Sequence, residues 1–395
     1  MPLNQPLTKQ TTLDELRRFT VARNFFKPTT LKRALDRMGF VQADPIRAPA
    51  RAQDLILRHR VRNYQAGDLE RRYATLDIEE DFFVNYGFVT TSLRSLMHPR
   101  EKAGREKGKR GKLKGEISKT ELLLAFVRER GAVHPREVDE HFSHGAVKNN
   151  WGGTSNATTR LLEAMHYRGL LRVARREKGI RLYTAHRDEV PMKAGRDAYT
   201  PIDASERRAQ IDALVDAVVR IYAPLPGPSL SFYVRRLRYA APRWQAKLTS
   251  ALQRAKERLS HASVEGTEWY WPAEIQGSGL IGSETPDTVR LLAPFDPLVH
   301  DRARFQLLWG WEYRFEAYTP AAKRKLGYYA LPLLWRDRVI GWGNLSIKDG
   351  ELKTEFGYVE SQPRERAFKR ELEAEQDRLR NFLAVDSQNE SQVGN

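Results

Sequence analysis

Apolar positions recur at helical spacing through much of the chain. In PTTLKRALDRMGF, Leu31, Leu35 and Met38 share one face, Thr29 or Thr30 is placed as N-cap, and Gly39 sits where a helix reverses into left-handed backbone. SKTELLLAFVRERG carries the capping box Ser118–Glu121 and closes at Gly131. VHPREVDEHF places Val138 and Phe142 four apart, and SNATTRLLEAMHYRGLL turns Leu161, Leu162 and Met165 inward before Gly169. The period then drops to two: LLRVARREKGIRLYTAH alternates about Glu177-Lys178-Gly179, a hairpin signature. Three helices followed by a two-stranded ribbon predict a winged helix. Further helices are predicted over AQIDALVDAVVRIYA, WQAKLTSALQRAKERLS and ERAFKRELEAEQDRLRNFLAV. Short strands are expected in DFFVNYGFVTT, and a strand-rich block from Val289 to Tyr358 reads as a meander, with WEYRFEAY and GYYALPLLW among its strands.

These patterns predict an α+β fold, predominantly helical, with the strands gathered in the C-terminal third. The expected divisions are an α-rich unit over 1–100, a basic linker over 101–117, a winged helix over 118–195, a third unit with the meander over 196–360, and a charged helix with a polar tail over 361–395. A chain of 395 residues suits two or three cores.

Charge narrows the partners. Lys and Arg total 67 against 50 acidic residues, a net charge of +17 that suits a polyanion such as nucleic acid. PREKAGREKGKRGKLKG concentrates that charge in a glycine-bearing arm able to neutralise phosphates. No apolar run is long enough to span a membrane, and MPLNQPLTKQTTLDELRRF lacks the apolar core of a signal peptide, so a cytoplasmic, nucleoid-associated protein is expected. The absence of cysteine removes disulfides, thiolate catalysis and Cys-ligated zinc.

Several motifs fail on context. GSGLIG at 277–282 has the glycine spacing of a dinucleotide loop without the strand before it or the helix after it. His141 and His144 have no third ligand, so no metal and no cofactor is expected. Asp54, Asp296 and Asp301 are scattered, which argues against a metal-dependent nuclease. Lys27 and Lys32, the lysines nearest Asp44 in sequence, have no context suited to a lyase. On the predicted wing, Arg172, Arg175, Arg176, Lys178 and Arg181 make a basic hairpin of the kind that meets a DNA backbone.

One short stretch presents chemistry without such a failure. In VQADPIRAPARAQDLILRHR, Pro45 pushes Asp44 into extended backbone, so Gln42 and Asp44 point the same way. An amide and a carboxylate are then offered side by side, followed by Arg47, Arg51, Arg58, His59 and Arg60. The plain alternative is a turn: Asp44 accepts a backbone N–H two residues on, and Gln42 is only solvated.

That stretch, together with WGGTSNATTRLLEAMHYRGLLRVARR and LLAPFDPLVHDRARFQLLWGWEYRFEAYTPAAKRKLGYYALPLL, resembles the bacterial crosslink-repair DNA glycosylases of the YcaQ/AlkZ type, over about residues 10–360. The order P-F-D-P-L, D-R, K-R-x-x-G-Y-Y is specific to that resemblance. It implies three tandem winged-helix units forming a concave scaffold on damaged double-stranded DNA, working as a monomer. It also implies a monofunctional glycosylase that removes N7-alkylated purines and unhooks interstrand crosslinks. The family motif of Gln, an apolar residue and then Gln or Asp falls on Gln42-Ala43-Asp44, the Asp branch, with Ala43 smaller than the usual aliphatic. By that resemblance Asp44 stabilises the oxocarbenium ion and activates water, Gln42 orients the water, and the arginines and His59 hold phosphates. A non-enzymatic winged-helix regulator is the competing expectation.

Overall fold

Thr12 caps the first helix described in the computed structural model, which describes residues 11–98, 100, 119–142, 146–148, 154–177, 179–186, 204–275 and 285–384. The basic linker, Ser118, His144, Lys178, the GSGLIG loop and the polar tail lie outside the described residues. The chain divides into two compact units. One is built from the described residues of Met1–Leu69, Val215–Val234 and Leu252–Asn395, the other from those of Glu70–Leu214 and Arg235–Ala251.

In the first unit, Thr12 and Glu15 cap each other's backbone N–H groups at 3.2 and 2.9 Å and start the helix Leu13–Asn24. Thr30 caps the helix Leu31–Met38, which buries Leu31, Ala34, Leu35 and Met38 along one stripe. Gly39, at φ +70°, ends that helix and lets the chain reverse at once into the strand Phe40–Gln42. A short helix, Ala52–Leu57, is buried at every residue, and so fixes the far end of the stretch that follows Asp44.

The expected meander is present as a four-stranded antiparallel sheet of Val289–Leu291, Leu331–Trp335, Arg338–Lys348 and Glu351–Tyr358, paired in chain order. Gly357 lets the Trp342 ring lie against the strand, since a Cβ there would meet ring carbon Cζ2 at 2.3 Å. The block is less strand-rich than its alternation suggests. Arg302–Trp309 is a helix capped by Asp301. WEYRFEAY, expected as a strand, belongs to neither helix nor strand. Leu292, Leu298, Val299, Phe305, Tyr313, Leu334 and Val339 form the core beneath it. The charged helix Arg366–Leu383 buries Phe368, Leu372, Leu379 and Phe382, with Glu375 buried among them.

In the second unit the helices Lys119–Arg130, Pro135–Phe142 and Ala157–Tyr167 precede a hairpin of Leu171–Glu177 and Ile180–Ala185 turning at Gly179, φ +87°. Val138, Leu162 and Met165 are buried in its core as their spacing predicts, with Leu123, Val127 and Val173. Val133 exchanges backbone hydrogen bonds with Tyr183 at 2.8 and 3.0 Å, tying the loop after the first of these helices to the hairpin. A second hairpin, Ile78–Phe82 with Tyr86–Thr90, carries three consecutive acids, Glu79, Glu80 and Asp81, whose partners are basic side chains of the same unit.

Candidate active site

Asp44 lies just beyond the strand Phe40–Gln42, where Pro45 ends regular pairing. Its Oδ1 accepts the N–H of Ile46 at 2.9 Å, the turn that an Asp-Pro step favours. Oδ2 accepts no hydrogen bond among the described residues. The backbone N–H of Asp44 faces the Oε1 of buried Gln53 at 3.5 Å, which links the turn to the helix Ala52–Leu57. Asp44 and Gln42 are both half-buried. Burial pushes the Asp44 carboxyl above its ordinary range, against a smaller opposing effect from the Ile46 N–H.

An aromatic wall stands near this carboxylate. Burial, and then the charge of Asp44, raise the phenols of Tyr318 and Tyr329. Tyr329 is 3% exposed, and its hydroxyl has no hydrogen-bond partner among the described residues. Tyr318 is 78% exposed, so its ring stands out into solvent. Phe315 joins the group, with ring centroids 5.1 Å from Phe295, 5.3 Å from Tyr329 and 6.1 Å from Tyr318. Arg302 stacks over Tyr313 at 4.5 Å.

This wall has no regular backbone, yet it is fixed. Glu316, 5% exposed, accepts the N–H groups of Lys325, Leu326 and Gly327 at 2.8, 2.7 and 3.3 Å. One carboxylate thus gathers the chain from the far side of the loop and substitutes for a ladder. Gly327, at φ +119°, brings the backbone so close to Asn344 that a Cβ would meet the amide at 2.4 Å.

The predicted phosphate contacts separate into two groups. Arg47 is exposed beyond the turn and Arg51 is half-buried at the start of the short helix. Arg60 requires correction: it is 1% exposed and paired through both terminal nitrogens with Asp296 at 2.8 and 3.1 Å. Two further donors reach the carbonyls of Asn24 and Ile56, and burial closes the group to DNA. Arg58 is likewise committed inward, to Glu375 at 2.5 Å and the Leu291 carbonyl at 3.0 Å. His59 bonds that same carbonyl at 2.9 Å, and burial together with neighbouring Arg58 pushes its pKa well down.

The wing divides in the same way. Arg175 is exposed, beside Glu177, and Arg172 is half-buried. Arg176 grips Glu80 through two nitrogens at 2.7 and 2.6 Å, and Arg181 lies 3.5 Å from the same carboxylate. Burial raises Glu80, but Arg176 and Arg181 outweigh it and hold the carboxyl below its ordinary range. Much of the wing's charge is therefore neutralised internally.

The other acids considered are structural. Asp54 accepts from Tyr64 and the Gly67 N–H, Asp296 neutralises Arg60, and Asp301 caps a helix. No cluster of His, Asp or Glu suited to a metal occurs among the described residues, and none of their helices is long and apolar enough to cross a membrane.

Two comparisons bear on this arrangement. The sequence profile of the AlkZ-like family, described as DNA glycosylase AlkZ-like, matches residues 35–382, which include the Gln42–Asp44 turn, the wing and the aromatic wall. The fold is similar to that of Streptomyces sahachiroi DNA glycosylase AlkZ, with a TM-score of 0.60 over 95% of this chain and 98% of that one, at 15% identity.

Proposed function

Since the chain belongs to the AlkZ-like DNA glycosylase family and is thus an enzyme that hydrolyses N-glycosyl bonds of DNA, we propose that it is a monofunctional glycosylase for N7-alkylated purines, with Asp44 as its catalytic carboxylate. The observation that carries this reading is the half-buried Asp44, one oxygen held by Ile46 and the other, like the nearby Tyr329 hydroxyl, without a hydrogen-bond partner among the described residues.

An N7-alkylpurine already carries a positive charge. When the C1′–N9 bond breaks, its electron pair passes to the base, which leaves neutral without a proton. The sugar becomes oxocarbenium-like, as in glycoside hydrolysis, and only one carboxylate is needed to face it. Asp44 stabilises that cation and takes a proton from the water that attacks C1′, while Gln42 and the Tyr329 hydroxyl orient the water. The exposed rings of Tyr318 and Tyr328 offer faces for stacking against a displaced base. Unhooking of interstrand crosslinks rests on the same step, applied to a base tethered to the other strand. We further propose three tandem winged-helix units on DNA. Support comes from the helix–hairpin order of the 119–185 segment and from the parallel order of Gly227–Ala240, Leu248–Arg258 and the hairpin of Ser260–Val264 with Thr267–Trp271.

The test is single-turnover release of N7-methylguanine from a duplex, comparing wild type with Asp44→Asn at matched DNA occupancy. A carboxylate about 4 Å from the developing cation, at an effective dielectric near 20, is worth roughly 4 kcal/mol, or on the order of a thousandfold in rate. Asn preserves the acceptor for Ile46, so the turn survives. A variant that releases the base within about threefold of wild type removes Asp44 from the mechanism.

A further inference from the structure

A cavity of about 630 Å³ lies in the first unit, between the segment 58–65 and the end of the charged helix, with neither Gln42 nor Asp44 in its lining. Arg58, Arg62, Arg290 and Arg378 line it, with His59, Tyr64 and Phe382. The acid facing them is Glu375, fully buried behind the wall, where it takes Arg58 at 2.5 Å, Arg378 at 2.9 Å and the Leu291 N–H at 2.9 Å. Burial raises Glu375, but Arg58 and Arg378 prevail and keep it ionised. His59 is held neutral by burial and by the neighbouring guanidiniums. Four guanidiniums therefore face one carboxylate.

The arginines are not equally engaged. Arg58 and Arg378 are each anchored to Glu375 and to a carbonyl, of Leu291 and Val289, although the buried Nε of Arg58 has no partner among the described residues. Arg290 has no such anchor: its face stacks on Phe25 at 4.6 Å, and its buried Nη1 has no hydrogen-bond partner among the described residues. Burial, and nearby Arg378, Arg60 and Arg58, depress its pKa to about 10 despite Glu375. A recessed guanidinium with an unmet donor is unfavourable by itself and is relieved by an anion. Arg62 is exposed on the same cavity, with no partner among the described residues.

We propose that this cavity is a second anion site, binding a phosphate group through Arg62 and Arg290 with Arg378 beside them, independently of the chemistry at Asp44. Planar guanidiniums suit the oxygens of a phosphate, and the volume admits a phosphate-bearing group of nucleotide size. The phosphate belongs either to a DNA strand or to a free phosphorylated compound.

Thermal unfolding of the full chain, with inorganic phosphate replacing chloride at constant ionic strength, tests the site. Wild type is stabilised by phosphate. Arg62→Gln and Arg290→Met each lose that increment, the apparent dissociation constant rising on the order of tenfold. Arg290→Met also melts above wild type in chloride, since it removes the unpaired buried donor, so a lost increment is not misfolding. The source is read from binding of undamaged duplex against salt. A DNA phosphate as occupant lowers the slope by about one in Arg62→Gln, whereas a free ligand leaves the slope unchanged while the phosphate increment is lost. Equal phosphate increments in wild type and both variants overturn the proposal.

Discussion

The buried pair of Arg60 and Asp296 supports a quantitative prediction. The side chains are 1% and 0% exposed and join positions 236 apart in sequence. Asp296 also accepts the Leu298 N–H at 3.1 Å, and Arg60 covers the Phe25 ring at 4.9 Å. Asp296→Asn keeps the shape but leaves a guanidinium buried with neutral acceptors only. Breaking a buried pair from one side costs about 3–5 kcal/mol, most of it the penalty of the stranded charge. Removing both ends as Arg60→Met with Asp296→Leu strands no charge, and recovers most of that loss. Urea unfolding measures this as a lowered midpoint at unchanged slope, about 1–2.5 M for a slope near 2–3 kcal/mol/M. The argument fails if Asp296→Asn costs less than about 1 kcal/mol, or if the double variant is no more stable than the single. The pair also joins the end of the 52–60 stretch, whose Gln53 meets the Asp44 turn, to the loop carrying Phe295. Asp296→Asn therefore slows base release beyond what the unfolded fraction explains.

Other outcomes follow from the same contacts. Because burial raises Asp44, ionisation favours the unfolded chain between its ordinary and folded pKa values; the stability of wild type relative to Asp44→Asn falls as pH rises through that window and is flat above it, while base release declines on acidification through the raised pKa. His98 behaves oppositely to a charge-gaining histidine. Burial lowers it to about 4 despite its bond to Asp81, so its contribution is present above the ordinary histidine value and is lost, by up to about 3 kcal/mol, as pH falls from about 6.5 towards 4; His98→Gln flattens that slope. Arg175→Gln lowers the salt slope of DNA binding by about one with little change in stability, whereas Arg176→Gln destabilises by about 2–3 kcal/mol because Glu80 loses its main partner. Tyr329→Phe leaves stability unchanged or raises it by about 1 kcal/mol, and slows single-turnover release on the order of tenfold; an unchanged rate removes its hydroxyl from the water's shell.

Local signals were legible wherever the deciding contacts are close in sequence. Thr30, Gly39, Gly131 and Gly169 mark helix ends because caps act within one turn. The wing follows from strict alternation about a glycine. Long-range pairing was not legible: nothing in RHR distinguishes Arg60 from a solvated arginine, since Asp296 is brought in only by the fold. WEYRFEAY misled for a related reason. Its apolar and polar residues alternate with period two, but its backbone turns back on itself, with the Tyr313 N–H on the Trp311 carbonyl at 3.1 Å, and no strand pairs with it among the described residues. Its final acid, Glu316, is buried where alternation on an exposed strand edge would put it outside, which only the fold reveals. The Asp-Pro turn was legible in the residues themselves, whereas the chemistry proposed for Gln42 and Asp44 comes only through family resemblance. Tyr329 had no signal beyond its place in G-Y-Y.

The bond from the Ile46 N–H to Asp44 Oδ1 has a consequence in time as well as in space. A free aspartate samples several rotamers and must be collected into one of them whenever it acts. Here the restriction is imposed once, when the chain folds, and persists through every later encounter. On the role proposed for Asp44, the turn and the chemistry are therefore not rival descriptions of Asp-Pro: the turn is the means by which a carboxylate arrives already oriented.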